Sequence, residues 1–328
     1  MRAIVIHEHG GRDKLILERD WPTPRAGAGS AVVRVHACSL NHLDIFVRRG
    51  MPGKRTALPF VSGGDIAGVI AEIDPEAPGL DVGQRVLVDP AIEHGAIGED
   101  VPGGLAEYAL VPAANLIPLP DILPFDQAAA LPIAYGTAWR MLHTRGRVRP
   151  GEHVLILGAS GGVGTACVQI AKMAGCVVYV AASTEDKLAG LRALGADHMI
   201  NSREREFDRE VWRLTDKRGV DVVVDYTGAE TWARSLRSLH KGGRLLTCGA
   251  TTGFDARTDI RYIWVRELTI LGSDGWTRPD LLALVDATGS GRIRPVIDRV
   301  LPLAQTAEGE RLLEDREVFG KVIIHPQE

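Results

Sequence analysis

The run Gly158-Ala159-Ser160-Gly161-Gly162-Val163-Gly164 has the residue types and spacing to cradle phosphates. An apolar strand pattern, Val154–Leu157, precedes it, and a helical pattern over Val163–Ala174 follows, with Val168, Ile170 and Ala171 facing inward. In that strand–turn–helix setting the turn binds the diphosphate of a dinucleotide. Gly161 lets the backbone approach the ligand, and Gly164 lets the helix lie close to the strand. The first N–H groups of the helix supply partial positive charge. Ala159 replaces the first glycine of the fingerprint. Ser160, Gly161, Gly162, Val163 and Gly164 are the cofactor-binding residues expected from this turn.

The next strand pattern, Val177–Ala181, runs into Ala182-Ser183-Thr184-Glu185-Asp186-Lys187. A site for NAD usually ends this strand on Asp or Glu, which holds the ribose 2′-hydroxyl. Ala182 stands there instead. Ser183, Lys187 and, after the third strand, Arg203 can meet a 2′-phosphate, so NADPH is the expected cofactor. NADH remains possible if Glu185 and Asp186 merely open a helix and Lys187 is solvated.

The elements that must position this turn alternate. After it come helix patterns over Glu185–Leu194, Glu204–Thr215 and Thr231–Leu239. Strand patterns cover His198–Ile200, Val220–Val224 and Arg244–Cys248. Near-continuously apolar strands separated by helices make a doubly wound α/β domain with a buried parallel sheet. The first 120 residues differ. Short β-rich runs (Leu15–Leu17, Ala31–Ala37, Ile66–Ile73, Gln84–Val88, Ala106–Val111) lie between Pro- and Gly-rich turns, with one helical pattern over Asn41–Arg49. An apolar helix pattern over Phe125–Leu142 is interrupted by Pro132. The tail carries a helix pattern, Ala304–Leu313, and a strand, Lys321–His325, and is too small to stand alone. The expected division is therefore a β-rich catalytic domain, 1–122, completed by 292–328, and a cofactor domain, 123–291.

Composition closes off other classes. The chain has 328 residues, with 38 basic against 42 acidic side chains. This is not the charge footprint of a nucleic-acid binder. The cluster Arg48, Arg49, Lys54, Arg55 reads as solvated surface. No apolar run reaches the ~20 residues of a membrane span. Met1–Ile6 reads as a strand rather than a signal peptide, so a cytoplasmic location with reduced thiols is expected. The four cysteines, Cys38, Cys167, Cys176 and Cys248, include no C-x-x-C pair.

Taken together, Asn41-His42-Leu43-Asp44, Gly103–Tyr108, Thr137-Ala138-Trp139, the Gly158–Gly164 turn and Phe319-Gly320-Lys321-Val322 resemble the medium-chain dehydrogenase/reductase superfamily. The likeness is closest to its zinc-free quinone oxidoreductase-like branch. It implies a GroES-like catalytic domain and a Rossmann cofactor domain. It also implies NADPH-dependent reduction of a quinone or an α,β-unsaturated carbonyl, without zinc or flavin, by a homodimer acting on a small molecule. In the zinc alcohol dehydrogenases of that superfamily a Cys, a His followed by Glu, and a second Cys hold the metal. In register these positions are Asn41, Gly64-Asp65 and Ile133. The stretch Val88–Gly104, where a structural zinc would need four cysteines, has none. A zinc site assembled from His42, Asp44, Asp65 and His94 is a remote alternative. Cys38, three residues out of register, reads as a small buried hydrophobe.

Matched positions supply the site candidates. Asn41 could donate its amide to a substrate carbonyl or to the cofactor ribose, or cap the helix that follows. Tyr135 could give a proton or form a cleft wall. Asp65 could orient substrate or water, or stabilise its turn. Asp44 supports the cleft, and His42 and His94 are weaker candidate acids. Thr137, Cys248, Gly249, Ala250, Leu271, Gly272 and Ser273 should line the nicotinamide side, with Lys321 a candidate to reach the cofactor from the tail. Two other functions stay open: an alcohol or carbonyl dehydrogenase with protein acids in place of zinc, and a non-catalytic NADPH-binding protein.

Overall fold

A computed structural model describes residues 1–328 except Pro52, Arg55 and Pro78. The chain divides into two compact units, Met1–Ala134 with Thr277–Glu328, and Tyr135–Trp276.

In the second unit, six described strands form one sheet, and every pairing is parallel. Across the sheet they run His198–Asn201, Val177–Ala182, His153–Ile156, Val220–Val224, Leu239–Thr247, Thr269–Gly272. The order reverses between the first and fourth in sequence, and α/β sheets bind ligands at such a switch point. The runs Val154–Leu157, Val178–Ala182 and Val222–Val224 are buried throughout, as strands covered on both faces must be. The helix after the glycine-rich turn spans Gly162–Met173 and buries Ala166, Cys167, Val168, Ile170 and Ala171. One local expectation changes. Leu239 opens the fifth strand rather than closing the preceding helix, which ends at Ser238. Between the fifth and sixth strands, Asp259 accepts the Arg261 N–H and starts the helix Ile260–Val265.

The first unit centres on the ten-residue strand Ser30–Ser39. It pairs antiparallel with Asp65–Ile73, Tyr108–Pro112 and the tail strand Lys321–His325, whose Ile323 and Ile324 lie opposite Ser39 and Cys38. Val33, Val35, Cys38, Ile66, Ile70, Val86, Val322 and Ile324 form its core. Two segments assigned to the cofactor domain from the sequence pack here instead. In the helix Phe125–Ala129, Phe125 stacks on His36 at 4.6 Å and lies under the Arg85 guanidinium at 3.9 Å. In the helix Arg278–Gly289, Arg278 donates to the Ala114 and Leu116 carbonyls.

The basic cluster is not uniformly solvated. Arg48 is fully buried and donates to Glu310 at 2.6 Å, to Glu314 at 2.7 Å and to the Gly10 carbonyl. It joins the helix His42–Arg49 to the helix Thr306–Glu314. Arg49 is exposed and pairs with Glu314, and Lys54 pairs with Glu99 and Asp100. Arg55 lies outside the described residues.

Candidate active site

In the second unit the glycine-rich turn is built to receive a ligand. Gly158 adopts φ +60°. A Cβ on Gly164 would meet the Ala159 backbone at 2.5 Å, so only glycine lets this helix start against the turn. Gly161 is different: a Cβ there finds no atom closer than the Gly158 carbonyl oxygen at 3.9 Å. It caps the helix with no side-chain hydrogen bond. The first-turn N–H groups lack intrahelical partners, as in any helix, and Ser160, Gly161 and Gly162 at this end are half-buried. Tyr226, which sequence reasoning missed, donates its hydroxyl to the Gly158 carbonyl at 2.9 Å.

At the end of the second strand, Ala182 lies opposite Asn201 and its carbonyl takes the Ser202 N–H. The segment carrying Ser183 thus runs beside the segment carrying Arg203. Thr184 caps the next helix by accepting the Lys187 N–H. Arg203 is exposed, and Glu185 is engaged by the Asn201 amide at 2.9 Å.

Beyond the fifth and sixth strands lies a cleft of about 500 Å³. Its lining includes the predicted Cys248, Gly249, Gly272 and Ser273, together with Arg140 and Arg145, which no sequence motif marked. Ala250 and Leu271 do not line it. Ser273 is buried, and its hydroxyl has no hydrogen-bond partner among the described residues. An unsatisfied buried hydroxyl beside an open glycine is what a carboxamide-bearing ring would complete. The Cys248 thiol is pushed up to about 12, chiefly by burial and then by Asp225 and Asp274, so it stays protonated. Thr137 is buried. Tyr135 is wholly buried, and its hydroxyl accepts from Gln169 at 3.2 Å. In this arrangement its hydroxyl has no exposure to solvent.

The first unit holds the other candidates in one closed network. Asn41 caps the helix His42–Arg49 and forms a capping box with Asp44. Its amide NH₂ donates to Asp65 at 2.8 Å and to the Ser39 carbonyl at 3.2 Å, while its oxygen accepts from the Lys321 ammonium at 2.5 Å. Lys321 spends its three donors on Asn41, the Leu40 carbonyl at 2.9 Å and Asp65 at 3.3 Å. Asp65 also accepts the Ile133 N–H at 2.9 Å and has no exposed surface. The expectations for these three residues therefore change. Both amide protons of Asn41 are engaged, Asp65 orients its neighbours, and Lys321 is a buried counter-charge with its donors taken inside its own unit.

Asp44 accepts the N–H groups of Asn41 and Gly63. Its carboxyl is pushed up to about 7, mainly by burial, against the pull of the Asn41 N–H and with a further push from Glu310 and Asp65. Cys38 is wholly buried, and burial also holds its thiol far up. His42 and His94 are exposed and outside the network.

The positions matched to the family's zinc ligands do converge, but on the wrong donors. They present an amide, a carboxylate shared with an ammonium, and an alkyl chain. Any side chain at Gly64 would press on Ile133 Cδ1 at 3.1 Å and on the Ile97 carbonyl oxygen at 2.9 Å. Zinc takes Cys, His or carboxylate donors around a tetrahedron. Among the described residues, no group of three or more His, Cys, Asp or Glu side chains could hold a metal ion.

Two family models match: the alcohol dehydrogenase GroES-like domain over residues 27–121 and the zinc-binding dehydrogenase over 162–288. The chain is 31% identical to a quinone oxidoreductase of Pongo abelii over 331 residues, 99% of this chain and 97% of the relative. A crystal structure of an NAD-dependent alcohol dehydrogenase is 38% identical, with TM-score 0.93 and 99% of each chain covered. A 2-octenoyl-CoA carboxylase reductase, solved with NADP and 2-octenoyl-CoA, is 29% identical, with TM-score 0.88 over 96% of this chain and 82% of that one.

Proposed function

The chain belongs to the medium-chain dehydrogenase/reductase superfamily, in its quinone oxidoreductase-like branch, and from that premise we propose that it reduces quinones or α,β-unsaturated carbonyls with NADPH and without zinc. It is an oxidoreductase. The observation that carries the finer reading is the contrast in donor sets. The turn and cleft of the second unit suit a dinucleotide, whereas the zinc-ligand positions hold Asn41, Gly64-Asp65 and Ile133 packed around Lys321. Reduction of a simple ketone leans on a Lewis acid that polarises the oxygen. A conjugated alkene or quinone accepts hydride at carbon, and its oxygen needs only hydrogen-bond donors as charge develops.

When bound, NADPH supplies hydride to the β-carbon of the acceptor and leaves as NADP⁺, with a proton from solvent completing the reduction. The residues of this chain bind and orient. Gly161, Gly162 and the N-terminal N–H groups of their helix hold the diphosphate. Ser183, Lys187 and Arg203 favour a 2′-phosphate, since Ala182 brings no carboxylate against it. Ser273 takes the carboxamide, with Thr137, Cys248, Gly249 and Gly272 around the ring. Asn41, Asp65 and Lys321 fix the first helix of the catalytic unit.

No helix among the described residues is long and apolar enough to cross a membrane, and a cytoplasmic enzyme is the reading that goes with it. Thr269–Gly272 is the last strand of its sheet. Pairing of that edge with a second copy would give the homodimer, which light scattering tests.

The deciding experiment is NADPH consumption against a panel of quinones, enones and aldehydes, with zinc measured in the same preparation. Turnover of quinones or enones by zinc-free protein is the expected outcome. Activity confined to aldehydes or alcohols, or stoichiometric zinc, refutes it. NADH serving equally well refutes the cofactor preference alone.

A further inference from the structure

The glycine-rich turn has weak bonds of its own. The Gly161 N–H reaches the Gly158 carbonyl at 3.3 Å, and the Ala159 N–H reaches the Ala181 carbonyl at 3.4 Å. Well-formed N–H···O bonds lie near about 2.9–3.0 Å. The shorter bond to the Gly158 carbonyl comes from a distant residue, the Tyr226 hydroxyl, at 2.9 Å. Gly158 sits at φ +60°, in a region that glycine enters and leaves at little steric cost. What its carbonyl bonds to therefore sets how this peptide is turned. The Tyr226 ring also lies against the turn, since a Cβ on Gly158 would meet it at 3.4 Å.

Tyr226 is itself held in place. Its neighbour Asp225 is wholly buried at the end of the strand Val220–Val224. That carboxylate takes the Thr227 and Gly228 N–H groups at 2.9 and 3.2 Å and the Thr231 and Ser235 hydroxyls at 2.9 and 2.6 Å. A carboxylate has about four acceptor positions, so none is left over. On the other side, the Tyr226 carbonyl accepts the Thr251 N–H at 3.3 Å, and the Thr227 carbonyl accepts the Thr252 N–H at 2.8 Å. These bonds tie Tyr226 to the segment that follows Cys248 and Gly249, which line the cleft. The hydroxyl and the carbonyl of one residue thus bond to the two regions expected to hold the two ends of the cofactor.

We propose that Tyr226 is a positioning residue for the dinucleotide, its hydroxyl orienting the Gly158 peptide so that the turn presents its N–H groups to the diphosphate. The inference rests on the dinucleotide reading given above. A phenol has one proton, and here Gly158 takes it, so Tyr226 acts through the turn. Its effect should reach every ligand that carries the diphosphate and none that lacks it.

The test compares the wild type with Tyr226→Phe, which keeps the ring and removes only the hydroxyl. Calorimetric titration uses NADPH, 2′-phospho-ADP-ribose, which keeps the diphosphate and lacks nicotinamide, and adenosine 2′-monophosphate, which lacks the diphosphate. The variant should weaken the first two by the same factor, roughly five- to tenfold, as loss of one hydrogen bond predicts. Adenosine 2′-monophosphate should bind both proteins alike. In turnover, the loss should fall on KM for NADPH, with kcat at saturating NADPH changed far less.

Wild-type affinity for NADPH in the variant overturns the inference and leaves the dinucleotide reading standing. Loss confined to NADPH, with 2′-phospho-ADP-ribose unaffected, puts the hydroxyl on the nicotinamide half and also overturns it. Equal loss for all three ligands, together with a clear fall in melting temperature, marks a purely structural residue and overturns it as well. Failure of the wild type to bind NADPH or 2′-phospho-ADP-ribose sinks the dinucleotide reading itself, and the inference with it.

Discussion

The glycine-rich turn of one unit and the Asn41–Asp65–Lys321 network of the other are opposite solutions to burying polar groups. The turn leaves its donors open. Its helix start has no side-chain cap, Gly161 has empty space where a Cβ would be, and Ser273 in the nearby cleft keeps an unsatisfied hydroxyl. In the network every polar atom has found a partner inside the protein. Open donors invite a ligand, whereas a saturated cluster holds structure. Both regions are rich in residues that can do chemistry, and only their hydrogen-bond accounts tell them apart.

Removing the buried cation should cause the largest change. Lys321→Met leaves Asp65 charged, buried and short of a donor, and should cost about 3–5 kcal/mol of stability. Adding Asp65→Asn to that variant should recover part of the loss. Urea unfolding of the four proteins of this cycle measures the coupling, and additive losses would show that the network is not a unit.

The pH dependence follows from the same cluster. Asp44 is raised to about 7 from an ordinary value of 3.8. Between those values the folded state holds a proton that the unfolded state has released. Stability therefore declines as pH rises through this window and levels off above it. Chemical unfolding at intervals from pH 4 to pH 8 should show that decline in the wild type, and Asp44→Asn should lack it. Parallel curves for the two proteins would contradict the assignment.

The turn should respond differently at its two glycines. Gly164→Ala forces a Cβ against the Ala159 backbone and should cost about 1–3 kcal/mol of stability as well as cofactor affinity. Gly161→Ala meets nothing within 3.4 Å and should leave the melting temperature nearly unchanged. It should still weaken NADPH roughly tenfold, because the methyl group occupies the ligand's approach. Fluorescence titration with NADPH separates the two effects. If Gly161→Ala bound NADPH normally, the diphosphate would not lie over this turn.

Much of the fold was legible from periodicity. Continuous apolar runs such as Val154–Leu157 and Val222–Val224 announce strands buried on both faces, and the spacing around Gly158–Gly164 announces a dinucleotide turn. The edges of the units were not legible. Phe125 and Arg278 each lie in a segment whose own pattern fits either unit, and each is held by a distant partner, His36 and Arg85 for one and the carbonyls at 114 and 116 for the other. Arg48 shows the same limit. A helix-end arginine reads as solvated until two glutamates more than 260 residues away arrive to bury it.

The sequence by itself determined which donors exist: glycines where phosphate can approach, no cysteine or histidine at the zinc-ligand positions, and Ala182 where an acid would select NAD. Covalent chemistry and backbone freedom belong to each residue and its near neighbours, so they survive in one dimension. Only the tertiary structure decided which donors remain available. The tail strand brings Lys321 beside Asn41 and Asp65 and closes that cluster, while the turn and the Ser273 hydroxyl stay open. Availability depends on what has been brought within hydrogen-bonding distance, and contacts spanning hundreds of residues settle that.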